Sequence, residues 1–80
     1  MNYYVYILES ISNPERYYVG FTINLKKRID RHNQGRSIYT SKYIPWKLTT
    51  AISFTDKKKA YRFEKYLKSH SGRAFSKKHF

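Results

Sequence analysis

Two stretches, YYVYILE at residues 3–9 and RYYVGFT at residues 16–22, decide the fold. Both are rich in β-branched and aromatic side chains, which pack well on a pleated surface. Between them Ser10-Ile11-Ser12-Asn13-Pro14 is a turn cluster, and Pro14 cannot donate to a strand ladder. The simplest arrangement is a hairpin. Downstream, Asn24 can cap a helix from Leu25 to about Gln34, with Gly35 as its stop. On that helix Leu25, Ile29 and His32 share a stripe flanked by Arg28. Residues 35–45 read as a polar, basic loop without a period. WKLTTAISF at residues 46–54 is a third strand, for which Pro45 suits the first position or an edge. Thr55 or Asp56 caps a second helix from Lys57 to about Ser69, with Ala60, Phe63 and Leu67 as its apolar stripe. Ser71-Gly72 is expected to interrupt it, and the tail from Arg73 to Phe80 either forms a short third helix or packs along the sheet. The order β-β-α-β-α, with that optional extra helix, predicts an α+β fold: a small sheet flanked by helices.

The chain has 80 residues, which predicts one domain over 1–80 with one modest core. No run of about 18 apolar residues is present, so no membrane span is expected. Met1-Asn2-Tyr3-Tyr4 lacks the basic start and apolar run of a secretory signal. The absence of cysteine excludes disulfides, thiolate zinc sites and thiol nucleophiles, and a cytoplasmic location is the expectation. Lys and Arg number 17 against 5 Asp and Glu, a formal net charge of +12. Self-repulsion on that scale is relieved by a polyanion, with nucleic acid ahead of an anionic membrane surface. Nine Tyr, five Phe and one Trp sharpen the choice, because aromatic rings supply both core volume and stacking surfaces for bases.

Some of these residues carry chemistry. A hairpin brings Tyr4, Tyr6, Tyr17 and Tyr18 side by side; they either fill a thin core and its rim or gather phenols at one spot. Gly20, late in the second strand, marks a close approach by a backbone or a ligand. Arg28 and His32, four residues apart, lie on one helix face. Arginine can hold a phosphate bidentately, and neutral imidazole can accept a proton near pH 7. Glu64 sits at the edge of the second helix's apolar stripe. It is either an ion-pair partner of Lys68 at i+4, worth a few tenths of a kcal/mol, or a metal ligand. Magnesium needs only one or two protein carboxylates when water and phosphate oxygens complete its octahedron. No second carboxylate clusters with Glu64, which weighs against a two-metal site.

The spaced elements Tyr4-Val5-Tyr6 and Tyr18-Val19-Gly20, followed by Asn24-Leu25-Lys26-Lys27-Arg28, resemble the GIY-YIG nuclease domain. The resemblance continues through Arg31-His32-Asn33-Gln34-Gly35, Phe63-Glu64-Lys65-Tyr66-Leu67-Lys68 and Ser71-Gly72-Arg73-Ala74-Phe75. It is closest to small stand-alone bacterial members related to the incision domain of the excision-repair nuclease. That likeness implies a three-stranded antiparallel sheet and hydrolysis of a phosphodiester with one Mg²⁺ or Mn²⁺. It assigns Tyr6 and Tyr18 to the signature tyrosines, Arg28 to the helix arginine, His32 to the position four residues on, and Glu64 to the metal-binding glutamate. Tyr6, Tyr18 and His32 all remain candidates for the general base, and positive charge from Arg28 is expected to lower a tyrosine's pKa toward that role. Three positions depart from the family pattern. Tyr4 replaces the first signature glycine, Phe21 the lysine frequent in the repair enzyme, and Ser76 the late asparagine of several members.

The expected function is therefore a metal-dependent DNA endonuclease that selects structure more than sequence. The alternative is a non-catalytic nucleic-acid-binding module that keeps the nuclease fold. Lys26, Lys27, Arg31, Arg36, Lys42 and Arg73 are the expected nucleic-acid contacts. A domain of this size has little surface for sequence readout, so a partner protein is a candidate source of specificity.

Overall fold

The computed structural model describes residues 1–80. Strands β1 (Tyr3–Ser10), β2 (Tyr17–Thr22) and β3 (Trp46–Phe54) form one antiparallel sheet in the order β2-β1-β3. The central strand pairs Tyr6 with Gly20 on one side and with Ala51 on the other. The pleat then sorts side chains to two faces. Val5 and Ile7 point to one, where Ala60 and Leu67 of helix α2 (Lys57–Lys68) close a small core. Tyr6 and Leu8 point to the other, packing with Trp46 and with Leu25 and Ile29 of helix α1 (Leu25–Asn33). Burying a Val or Leu fully contributes about 1.5–3 kcal/mol, so these two thin layers hold both helices to the sheet.

The helix starts follow from their caps. The Asn24 side chain accepts from the Lys27 amide at 3.1 Å, and Asp56 accepts from the amides of Lys58 and Lys59. Gly35, at φ +73°, takes the chain out of α1 in the left-handed region that glycine favours.

Of the two courses open to the tail, it takes the helical one, α3 (His70–His79); α2 ends at Lys68, near the expected Ser69, but Ser71-Gly72 lies within α3 and is not the interruption. Ser69 caps α3 by accepting from the Gly72 amide at 3.1 Å. Gly72 lies inside the first turn of α3, where a Cβ would collide with the Tyr66 carbonyl, so glycine serves close packing and not helix termination. The loop at 35–45 also contains structure, a 3-10 turn at Thr40–Tyr43 whose first residue is fully buried.

Candidate active site

Tyr6 is the hub. It projects from β1 toward α1, and its ring lies over Gly20 so closely that a Cβ there would collide with Cζ and Oη. Glycine is required by this approach. The ring is fully buried, and a buried hydroxyl needs a partner. It finds one in Nε2 of His32, 2.9 Å away. His32, itself buried, uses its other nitrogen, Nδ1, to meet Oγ1 of Thr40 at 2.9 Å. Thr40 is held in turn, because Trp46 Nε1 donates to its carbonyl at 2.8 Å. Asn33, next to His32, receives the Trp46 amide at 2.6 Å and donates to the Trp46 carbonyl at 3.1 Å. This two-way bond pins the end of α1 to the start of β3, and so fixes the height of His32 over the sheet.

Around this buried chain the surface opens. Tyr18 lies with its ring centre 4.8 Å from that of His32 and 6.3 Å from that of Tyr6. Tyr18, Arg28, Arg31, His32, Arg36 and Ser37 line an open pocket of about 230 Å³. Arg31 and Arg36 also border a neighbouring groove of about 400 Å³ with Lys27, Asp30 and Gln34. Of the basic residues expected to contact nucleic acid, Arg31, Arg36 and Lys27 therefore gather here. Lys26, Lys42 and Arg73 are exposed and line neither hollow.

Glu64 approaches from the opposite layer, on α2. Its carboxylate meets Lys68 Nζ at 3.1 Å, the i,i+4 pair that the spacing allows, with 18% of its side chain exposed. It is close enough to act on the Tyr6 phenol, as is Arg28 from α1. Tyr18, Arg28 and His32 thus gather about the Tyr6 phenol on the α1 side of the sheet, while Glu64, on α2, acts on it electrostatically.

The electrostatics correct one expectation. Positive charge from Arg28 acts in the expected direction but does not prevail: burial, then the neighbouring Tyr18, push the Tyr6 phenol up to about 12. Arg28 pulls it down and Glu64 pushes it up, but desolvation wins because no water reaches the ring. Burial, reinforced by Arg28 and Arg31, also lowers the pKa of His32, so the imidazole is neutral at pH 7. Thr40 and Ser37 go unremarked in the sequence, and Asn33 enters only within the family-like element, without a role. Each is a small polar residue near a basic loop, and no spacing rule distinguishes it.

Residues 2–78 match the family described as the GIY-YIG catalytic domain. The chain is 38% identical over 65 residues to the "Structure-specific endonuclease subunit SLX1 homolog" of Giardia intestinalis, covering 76% of this chain and 18% of that protein. It is 36% identical over 74 residues to the UPF0213 protein BH0048 of Halalkalibacterium halodurans, covering 91% and 77%. The solution NMR structure of the UPF0213 protein BH0048 from Bacillus halodurans superposes with a TM-score of 0.58 at 35% identity, covering 96% of this chain and 81% of that one. The chain thus spans less than a fifth of the Giardia relative and about three quarters of BH0048. It belongs to the GIY-YIG family and carries that family's endonuclease domain. Nucleases of this family generally depend on a divalent metal.

Proposed function

We propose that the protein is a divalent-metal-dependent endonuclease that hydrolyses phosphodiester bonds in DNA and selects DNA structure over sequence. The observation that carries this reading is the Tyr6 phenol, paired to neutral His32 at 2.9 Å and within the influence of both Arg28 and Glu64. A phenol held near 12 is a poor base by itself. Passing its own proton to Nε2 of His32 would remove that obstacle, since phenolate never has to accumulate, once DNA binding brings the attacking water to the hydroxyl that is buried in the free protein. His32 can receive that proton when its Nδ1–H donates to Thr40. Arg28, half-buried beside the pocket, is placed to hold non-bridging phosphate oxygens as charge develops on them.

Glu64 is the residue that would hold the metal. No group of three or more His, Cys, Asp or Glu gathers in the structure, so a cage built from protein ligands does not fit. One partly buried carboxylate in basic surroundings fits a single hard cation that keeps several waters and takes phosphate oxygens. A bound Mg²⁺ or Mn²⁺ would supply positive charge at the departing oxygen. Lys68, on a flexible stem with half its side chain exposed, can yield the carboxylate to it. Structure selection is supported by the similarity to the Giardia relative, a structure-specific endonuclease subunit. The word subunit in its name also supports a partner protein as a source of specificity here.

The test is a panel of labelled duplex, nicked, flap and single-stranded DNA, with RNA counterparts, in Mg²⁺, Mn²⁺ or EDTA. Cleavage of branched or single-stranded DNA that EDTA stops is the expected outcome. Binding without cleavage of any form would replace this reading with a non-catalytic binding module.

A further inference from the structure

Phe21, which stands where the repair enzymes of the family frequently carry lysine, is the middle ring of a column of three. Its ring stacks on Tyr3 at 6.1 Å and 19°, and on Tyr61 of α2 at 4.3 Å and 16°. The Phe21–Tyr61 contact helps hold α2 to β2, yet Tyr61 remains 48% exposed. Phe21 stacks on Tyr61, and the Lys57 ammonium also lies over that ring, 5.7 Å from its centre. Lys57, Tyr61, Glu64 and Lys68 follow one another at i, i+4, i+7 and i+11, so they form a single line along the helix. That line reads cation, flat ring, carboxylate, cation.

We propose that Tyr61, backed by Phe21 and Tyr3, is a stacking platform for one unpaired DNA base next to the scissile phosphate. The position of that phosphate rests on the metal-holding role given to Glu64 above. Residues three apart on a helix surface have Cβ atoms about 5–6 Å apart, so a base on Tyr61 belongs to a nucleotide adjoining the one at Glu64. Stacking a base on an aromatic ring is stronger than an exposed cation–π contact, so the base displaces the Lys57 ammonium. The ammonium then meets a phosphate of the same strand, as Lys68 can on the far side of Glu64. A base inside an intact duplex cannot offer its face to Tyr61. The platform therefore makes the enzyme favour junctions between duplex and single strand, and it does so without reading sequence, because every base has a π-face.

The experiment measures DNA binding in EDTA, where cleavage plays no part. The probes are a flap DNA with 2-aminopurine at the first unpaired position and a blunt duplex of equal length. Tyr61→Phe keeps the ring and should match the wild type on both within twofold. Tyr61→Ala and Tyr61→Leu should weaken flap binding by about fivefold to a hundredfold and abolish quenching of 2-aminopurine, leaving duplex binding within twofold. Tyr61→Leu keeps an apolar contact with Phe21, so a wild-type melting curve for it separates stacking from folding. Equal weakening on both DNAs, or quenching that survives in Tyr61→Leu, would overturn the proposal. Failure of the nuclease reading would look different: no DNA is cut in Mg²⁺ or Mn²⁺ while flap binding still depends on the Tyr61 ring.

Discussion

The Tyr6 hydroxyl lies 2.9 Å from Nε2 of His32, and both side chains are buried, His32 at the floor of the open pocket. A titratable pair this buried is held in one geometry by its surroundings. Gly20 makes room for the phenol, while Thr40 and Asn33 fix the imidazole from behind. What looks from outside like a small basic pocket thus rests on a buried chain of hydrogen bonds.

Thr40 should set the tautomer of His32. Its Oγ1 lies 2.9 Å from Nδ1, so donation by Nδ1–H leaves Nε2 free to accept from Tyr6. Thr40→Val keeps the volume but removes the partner, leaving a buried nitrogen unsatisfied at a cost of about 1–3 kcal/mol. Thr40→Ser should restore both stability and cleavage. Imidazole nitrogen chemical shifts should report protonation at Nδ1 in the wild type and a mixture in Thr40→Val.

Gly20→Ala should act through Tyr6. Its methyl would occupy the space taken by Cζ and Oη of that ring, which then has to leave His32. Overpacking of this kind costs about 1–3 kcal/mol, or several degrees of melting temperature in a chain this short. Cleavage should fall about a hundredfold or more, in line with losing a proton acceptor, and a nicking time course beside a thermal melt reads both.

Stability should fall on both sides of neutrality. The folded-state pKa of His32 is lowered, so below about pH 6.5 the unfolded chain binds a proton that the folded chain refuses. The stability from neutral His32 is therefore complete above about 6.5 and is lost as the pH falls toward the folded value. Tyr6 has the opposite sign. Its contribution is complete below about 10, the ordinary value for tyrosine, and is lost as the pH rises toward about 12. Thermal melts across pH 5–11 should show both limbs. His32→Gln should flatten the acid limb and Tyr6→Phe the alkaline one.

Arg31 and Arg36 border both the pocket and the adjoining groove, so they should carry phosphate contacts. Replacing both by alanine should reduce the slope of log affinity against log salt by about 1.4–1.8, since each lost contact contributes about 0.7 for single strands to 0.9 for duplex. A titration from about 50 to 200 mM salt measures that slope. An unchanged slope would place the DNA elsewhere on the surface.

The strands and the first two helices were legible because their signals are local. β-branched and aromatic runs around a turn cluster mark β1 and β2, Asn24 and the Thr55-Asp56 pair announce helix starts, and Ala60, Phe63 and Leu67 recur at helical spacing. The second helix's end near Ser69 was legible too, but the helical course of Ser71-Gly72 was not, since Gly72 reads as a helix breaker until the Tyr66 carbonyl is seen against it. Thr40 was hidden for a similar reason: a threonine in an aperiodic basic loop gives no sign that the chain folds it under His32. The Tyr6 phenol was misjudged because a net charge of +12 acts largely through water, whereas burial acts on the ring directly. Net charge indicated the partner correctly in kind but could not indicate the protonation state of one buried group.

The most direct measurement compares wild type and Glu64→Ala on a supercoiled plasmid and a flap substrate in Mg²⁺, with DNA affinity measured in parallel in EDTA. The account predicts that wild type nicks or incises the DNA, that Glu64→Ala loses this activity, and that the variant's affinity stays within a few fold. Undiminished cleavage by Glu64→Ala, or cleavage by wild type that persists in EDTA, would contradict it.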